Sequence, residues 1–361
     1  MSIALNLPVN GVSFGQVSLG LLREFYKRET PIKLQPLKSQ FDLSTEDLTP
    51  EFEEWLANAT RDFELTHSRK NNIFKLWHLA EGISALSEKQ ILYSFYELDT
   101  PTQTEVNIVR NNHKVLFSSS QAVESFRRLG CENVHHVPLA FDDHNFKKLD
   151  KKYFTDDRIV FSVVGKFEQR KNHGEILKAW ASKFGNDRKY ALHGAVWNPF
   201  FSADQNNGIL SNLFEGKKYW NINFSPFMEK NSQYNEFLNS SNIVLAMSGG
   251  EGWGLPEFHS VGVGKHAVVL NCSGYKDWAN EKNSVLIQPN GKRPAFDGAF
   301  FKEGEPYNQG SVYTFDVDEF ISGCEEAIKR VEQNRINEEG LKLQEEFPYS
   351  RTVDSVLAHM E

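Results

Sequence analysis

Residues 142–157 read "DDHNFKKLDKKYFTDD", a polar, charged tract between two longer stretches in which short apolar runs alternate with amphipathic ones. That alternation constrains the fold more than any other feature. Short apolar runs bounded by turn residues are strand-like, and apolar spacing of i, i+3, i+4 is helical. Strands regularly interrupted by helices pair in parallel, with helices on both faces. Before the tract, "SIALNL" is a strand ending at Pro8, "GVSFGQ" a Gly-punctuated loop and "VSLGLLREFYKR" a helix. Residues 45–90 read as mostly helical, with Thr49 as N-cap and Pro50 as first helical residue. "QILYSFYE" and "HKVLFSSS" are buried strands, "SQAVESFRRLG" is a helix closed by Gly130, and "NVHHVPLAFD" is the last strand and exit loop. After the tract, strands fall at "RIVFSVVGK", "KYALHGA", "NINFSPF", "NIVLAMS", "HAVVLN" and "SVLIQP". Helices fall at "NHGEILKAWASKF", "NSQYNEFLNSS" and "PEFHSVGVGK", and the segment from Asp316 is helical with a break at Pro348. Two α/β halves, 1–145 and 158–345, are therefore expected around a polar linker. A ligand cleft is expected at the carboxyl ends of their strands.

Composition narrows the function. The formal net charge of -8 argues against polyanion binding by bulk attraction, although it leaves room for a local basic cleft. The three cysteines, Cys131, Cys272 and Cys324, are far apart and form no CxxC, which fits a reduced, cytoplasmic setting and no zinc site. The first residues carry no signal-peptide pattern, and no apolar run is long enough to span a bilayer.

Two loops carry chemistry. In "VVGKFEQRKNHGEIL" a strand ends at Gly165, Lys166, Arg170 and Lys171 follow, and a helix starts near Asn172 or His173. Cations beside a helix N-terminus suit a phosphate or diphosphate, although alone they also describe a solvated basic turn. In "SGGEGWGLPEFHSVGVGKHAVVLNCSG", Ser248–Gly274, four glycines surrounding Glu251 and Trp253 let backbone approach a ligand closely. Pro256 suits the first helical position. Glu251 lies too far upstream to cap that helix, so a carboxylate there suits hydroxyl groups of a polyhydroxy ligand, in a loop expected to be exposed. Two patterns are set aside. Asp316 and Asp318 mimic a D-x-D metal motif but stand where a helix N-cap is expected. "GVGKH" lacks the Ser/Thr and the Gly spacing of a phosphate loop.

These residues resemble a known family. "EGWGLPEFHSVGVGKHAVVLN" is similar to the E-G-F-G-L-P-x-x-E signature of the GT-B retaining glycosyltransferases of family 4 type, and "VGKFEQRKN" to their V-G-R-x-x-x-x-K-G/N loop, about 85 residues earlier. "NGVSFGQVSLGLL" resembles their N-terminal Gly-rich loop; "ILYSFYELDTP" and "VLFSSSQAVESFRRLG" resemble the end of their first domain. The resemblance implies α/β GT-B architecture: two Rossmann-like domains with parallel sheets facing across a cleft, and a C-terminal helix at about 346–361 packing back on the first. It implies that Lys166 and Lys171, with Arg170, grip a donor diphosphate, and that Glu251 binds sugar hydroxyls. Backbone around Gly252, Trp253, Gly254 and Leu255 would meet sugar and phosphate. Gly11 and Gly15 would let the first domain's backbone approach phosphates or acceptor. Glu97 and Asp99 are acceptor-side candidates, with Tyr96 where relatives often carry a His.

One position departs from the pattern. The second signature Glu, which holds the nucleotide ribose, is His259 here, eight residues after Glu251. A neutral imidazole offers one acceptor nitrogen to a ribose diol, with pH dependence near ~6.5. Glu257 is rotated by about 200° from that position on the helix and is expected to face away.

The implied function is retaining, metal-independent transfer of a sugar from a nucleotide-diphosphate sugar, such as a UDP- or GDP-sugar, to an acceptor hydroxyl, with no cofactor. Rival readings are another GT-B enzyme such as a nucleotide-sugar epimerase, and a catalytically silent nucleotide-sugar-binding protein. The acceptor remains open: a glycan, a lipid-linked sugar, a small metabolite or a hydroxymethylated nucleic-acid base, although net charge does not point to nucleic acid. No stable membrane insertion is expected.

Overall fold

A computed structural model describes residues 3–154 and 156–361, with backbone alone at 38–40. Ser2, in the expected opening strand, and Thr155, in the expected linker, lie outside the described residues, as does Met1. The chain forms two compact units. One holds the residues up to His144 together with Phe301–Gly310 and Phe347–Glu361; the other holds Asn145–Phe300 and Ser311–Glu346.

The first unit is built on a parallel sheet of β1 (Ile3–Val9), β2 (Ile32–Phe41), β3 (Ile73–Leu76), β4 (Gln90–Ser94), β5 (Lys114–Phe117) and β6 (Val134–His136), in the order β2-β1-β3-β4-β5-β6. Its helices are α1 (Ser13–Lys27), α2 (Pro50–Thr66), α3 (Gln103–Asn111), α4 (Ser120–Arg127) and a C-terminal helix, Tyr349–Met360. β1 runs through Pro8 rather than stopping there. Its register with β2 shifts between Leu7 and Val9, where the missing proline N–H would otherwise have had to pair. α1 begins at Ser13, inside the stretch expected to be a loop. β2 and β3 were not expected. β2 is an edge strand, which tolerates Pro36. β3 is four residues long and includes Lys75, whose buried ammonium donates to the carbonyls of Glu81 and Ser84, both at 2.8 Å.

The second unit's sheet comprises β7 (Ile159–Val164), β8 (Tyr190–Ala195), β9 (Ile222–Phe224), β10 (Ile243–Ala246), β11 (His266–Leu270) and β12 (Val285–Ile287), all parallel, in the order β12-β11-β10-β7-β8-β9. Its helices include α5 (His173–Phe184), α6 (Ala203–Asn212), α7 (Asn231–Asn239), α8 (Leu255–Gly262) and α9 (Val317–Gln333). An unforeseen antiparallel hairpin, β13 (Gly291–Pro294) and β14 (Ser311–Thr314), follows β12. Phe161, Trp180, Phe184, Leu192, Leu245 and Phe320 centre the core. Asp316 caps α9, its Oδ1 accepting from the backbone N–H groups of Asp318 at 2.9 Å and Glu319 at 3.0 Å. The tract expected to be a linker joins this unit from Asn145 onward. There Asn235 and Asn239 of α7 accept from the backbone N–H groups of Lys147 and Leu149 at 3.1 and 2.9 Å.

Sequence order runs outward from the middle of this second sheet in both directions, so β7 and β10 are neighbours at the switch point. Loops leaving their carboxyl ends emerge side by side, where open α/β sheets bind ligands. No described helix is long and apolar enough to cross a membrane.

Candidate functional site

The loop after β7 turns at Gly165, whose φ is +92°, and closes in a short helical turn, Gln169–Lys171. Asn172, in the left-handed region at φ 55°, ends that turn and starts α5. Its side-chain amide donates to the Met247 carbonyl at 2.8 Å, and the Gly249 N–H donates to the Arg170 carbonyl at 2.8 Å. These two bonds fasten the loop after β7 to the loop after β10.

The second loop is equally fixed. Glu251 N–H donates to Ser273 Oγ at 3.0 Å, and Gly274 N–H donates to the Glu251 carbonyl at 3.0 Å. Gly254 sits at φ +82°, and a Cβ there would lie 2.2 Å from the Tyr275 ring, so this position requires glycine. α8 starts at Leu255, which puts Pro256 at its second position rather than its first.

Between the loops lies a buried charge cluster. Glu251 is only 6% exposed, although the sequence placed it in an exposed turn. Its Oε1 accepts from Arg170 Nη1 at 2.8 Å and from Lys171 Nζ at 2.5 Å. Arg170 Nη1 also donates to the Gly250 carbonyl at 2.6 Å. Glu168 lies with Oε2 2.9 Å from Arg170 Nε and Oε1 3.0 Å from the half-exposed Lys166 Nζ. Lys166 Nζ also stands 4.9 Å from the centre of the exposed Phe200 ring. Glu257 completes the set, 3.8 Å from Lys171 Nζ. Three cations thus meet three carboxyls. Mutual pairing is what makes the burial tolerable, because each unpaired ion would cost several kcal/mol.

The protonation states follow from competition between burial and pairing. Burial pushes Glu251 up, but Arg170 and Lys171 outweigh it and hold the carboxyl at about 2. Glu168 is likewise lowered: burial opposes ionisation, and Arg170, Lys166 and Lys171 overcome it. Burial works against the charge on Lys171, yet Glu251 and Glu257 raise its pKa. Glu257 goes the other way. Burial, reinforced by the Glu251 carboxylate, raises it against the pull of Lys171.

Arg170, Lys171 and Glu251 therefore meet directly, and Lys166 joins them through Glu168. Gly252, Trp253 and Gly254 follow in the same buried loop, and Leu255 opens α8, also buried. The Trp253 ring packs on Phe258 with centroids 5.5 Å apart, and its carbonyl accepts from Trp278 Nε1 at 2.9 Å. His259 is buried, stacked on Phe146 at 4.2 Å and 25°, and burial pushes its pKa down to about 3. Burial thus favours the neutral ring, against the pH dependence near ~6.5 expected from the sequence. His173, at the start of α5, is held at about 3 by burial and then by Lys171.

Sequence reasoning missed Glu168 and Glu257. Glu168 was visible as the one acid inside "KFEQRK", where buried cations need a counter-charge. Glu257 was dismissed because it lies on a different helix face from His259. The faces do differ, but it is the face of Glu257 that meets Lys171.

The remaining candidates belong to the first unit. Gly15, in the first turn of α1, faces the Asn10 carbonyl, which a Cβ would approach to 2.0 Å. Gly11 faces the Thr45 side chain in the same way. Tyr96 is buried and donates its hydroxyl to Glu105 Oε2 at 3.0 Å. Glu97 and Asp99 are half-buried after β4, where Asp99 Oδ1 accepts from the Thr100 hydroxyl at 3.1 Å. Glu105, not singled out in the sequence, ties this region to Asn308, whose N–H donates to its Oε1 at 3.0 Å.

No family model matches the chain, and no curated protein matches its sequence. Solved structures do match. A sucrose-phosphate synthase from Thermosynechococcus elongatus superposes with a TM-score of 0.68 at 12% identity, over 99% of this chain and 98% of that one. An alpha,alpha-trehalose 6-phosphate synthase from Burkholderia multivorans gives 0.65 at 10% identity, over 100% and 98%. HepE from Anabaena, solved in complex with UDP-glucose, gives 0.64 at 12% identity, over 99% of each chain. At such identities the likeness is one of fold, and the fold of this chain is that of the GT-B glycosyltransferases.

Proposed function

We propose that this protein is a retaining, metal-independent glycosyltransferase that moves a sugar from a nucleotide-diphosphate sugar to an acceptor hydroxyl. The carrying observation is the convergence of Arg170 and Lys171, from the loop after β7, on Glu251, from the loop after β10, at the switch point of a GT-B unit. Buried cations aimed at one point stabilise charge developing there without reorganising at the moment of reaction. The similarity to HepE, whose structure holds UDP-glucose, supports a nucleotide-sugar donor.

In this reading Lys166, Arg170 and Lys171 hold the diphosphate and stabilise it as it departs, the part a metal ion plays elsewhere. Glu251 accepts hydrogen bonds from sugar hydroxyls. Backbone of Gly252, Trp253, Gly254 and Leu255 lines the sugar and phosphate, and His259 meets the ribose with a neutral nitrogen. Gly11 and Gly15 give the phosphates or acceptor close access to backbone. The bond between the anomeric carbon and the diphosphate oxygen breaks, and a bond to the acceptor oxygen forms on the same face. The acceptor proton passes to the departing phosphate oxygen. Glu97, Asp99 and Tyr96 are the acceptor-side candidates. Three buried free cysteines fit a reducing, cytoplasmic setting.

A thermal-shift screen of UDP- and GDP-sugars identifies the donor, since a ligand at 100 times its Kd adds about 2.7 kcal/mol. Turnover of that donor with a hydroxylated acceptor, unaffected by EDTA, is the expected result. Loss of activity in EDTA restored by manganese or magnesium would overturn metal independence. Donor consumption without acceptor would favour an epimerase, and binding without turnover a silent binding protein.

A further inference from the structure

Glu257 has no part in the reading above, yet it is only 2% exposed and touches its cation set. The groups facing it come from four places. Lys171 Nζ from the turn before α5 lies 3.8 Å from its Oε1, and Glu251 acts on it from the loop after β10. Tyr275 lies near enough to lower it, and Tyr234 of α7 senses its charge. Even so, Glu257 Oε2 makes no hydrogen bond of good geometry among the described residues, and neither does the Tyr275 hydroxyl. A buried carboxyl oxygen so weakly partnered is costly when charged and becomes a donor when protonated. With Glu257 ionised, three cations face three carboxylates in the empty cluster, and Lys171 sits nearer to Glu251, at 2.5 Å, than to Glu257.

Resting on the proposed diphosphate site, we propose that Glu257 takes up a proton from solvent when a nucleoside diphosphate enters the cluster. A diphosphate adds negative charge to a neutral set and draws Lys171 and Arg170 to itself. Glu251 holds direct bonds to both cations, at 2.8 and 2.5 Å. Glu257 holds only the longer contact to Lys171, so it is the carboxyl left facing the added charge. Protonated, it neutralises that charge and gains a donor hydrogen that Tyr275 Oη can accept. Binding of the diphosphate then carries a proton with it, and affinity falls about tenfold for each unit the pH rises, wherever free Glu257 is ionised.

Titration of UDP and of GDP into the full-length protein, in buffers of different ionisation enthalpy at one pH, counts the protons taken up. Across the pH range in which free Glu257 is ionised, the expected result is close to one more proton per nucleotide in the wild type than in Glu257→Gln, in which binding persists. The ligand's own phosphate titration is common to both proteins and cancels. Equal proton uptake in the two, with nucleotide bound, would overturn this inference and leave the diphosphate site standing. Binding of neither nucleotide to the wild type would overturn the site and the inference together. Infrared difference spectroscopy on the wild type needs no variant. Nucleotide addition should raise a protonated-carboxyl band, and its absence with nucleotide bound would overturn the proposal even if Glu257→Gln fails to fold.

Discussion

Glu251 ties stability to chemistry in a single side chain, because it is the shared acceptor of two buried cations. Removing one partner of such a set leaves uncompensated charge and costs roughly 3–5 kcal/mol. Glu251→Ala is therefore expected to lose transfer and also several degrees of Tm, whereas Glu251→Gln, which keeps volume and an acceptor oxygen, should lose transfer with a smaller fall in Tm. Calorimetry beside product formation separates the two, and identical Tm in all three proteins would mean that the cluster contributes nothing to folding. The carboxyl sits at about 2 in the folded state against an ordinary 4.5, so its stabilisation is full above about 4.5 and lost as pH falls toward 2. The buried histidines act earlier on the acid side. His259 and His173 stay neutral down to about 3, while in the unfolded chain they protonate near 6.5. Between those values the unfolded state binds more protons, so stability falls with pH, by up to about 1.4 kcal/mol per pH unit for each ring. His259→Phe should keep the aromatic slot against Phe146 and flatten the fall in Tm from pH 7 to pH 5. It should also raise donor KM about tenfold, worth ~1.4 kcal/mol, if the ring meets ribose as proposed; an unchanged KM would leave the ring with packing alone. Lys166, Arg170, Lys171 and Glu251 could be singled out from the sequence because cation spacing and glycine-rich turns are local signals. Burial was not legible, because it depends on Glu251 and Glu257 arriving from segments about 80 residues beyond the cations they meet.

At the scale of elements, the legible ones were those whose apolar pattern is nearly continuous. β7, β10 and β11 are buried along their whole length and were visible as apolar runs broken only by Ser162 and begun by His266. β3 was hidden by Lys75, whose charge is satisfied by carbonyls of a neighbouring turn that no periodicity reveals. β2 was hidden by a proline tolerated only because the strand lies at an edge. The start of α9 shows the converse, a local signal read correctly. Asp316 was set aside as a metal ligand because a helix follows, and its carboxylate accepts from the N–H groups of Asp318 and Glu319. Asp316→Ala should lower stability by about 0.5–2 kcal/mol, the ordinary cost of losing such a cap, and leave the transfer rate unchanged. Denaturant titration with a parallel rate measurement checks this. A large loss of rate at unchanged stability would return Asp316 to the chemistry.

At the scale of the whole molecule, the chain does not finish its first unit before beginning its second. After α9, residues from Phe347 onward belong with the first unit, where the C-terminal helix is held by contacts distant in sequence. Phe141 N–H donates to the Phe347 carbonyl at 2.7 Å, Lys114 Nζ to that of His359 at 2.8 Å and Asn72 Nδ2 to that of Met360 at 2.6 Å. Tyr349 fills the space beside Gly20 of α1, where a Cβ would lie 2.0 Å from its ring, and Val353 and Val356 are fully buried. Fully burying a large apolar side chain contributes roughly 1.5–3 kcal/mol, so this helix accounts for a large share of a marginally stable unit's free energy. Deleting residues 347–361 is therefore expected to destabilise the first unit selectively. Hydrogen exchange should accelerate in β1, β3, β4 and β5, which lose the helix's anchoring, and remain slow in β7, β10 and β11, whose core contains none of the deleted residues. Equal acceleration in both sets of strands would show that the two units unfold as one. Unchanged exchange in β1 would show that the helix contributes little to the unit it joins.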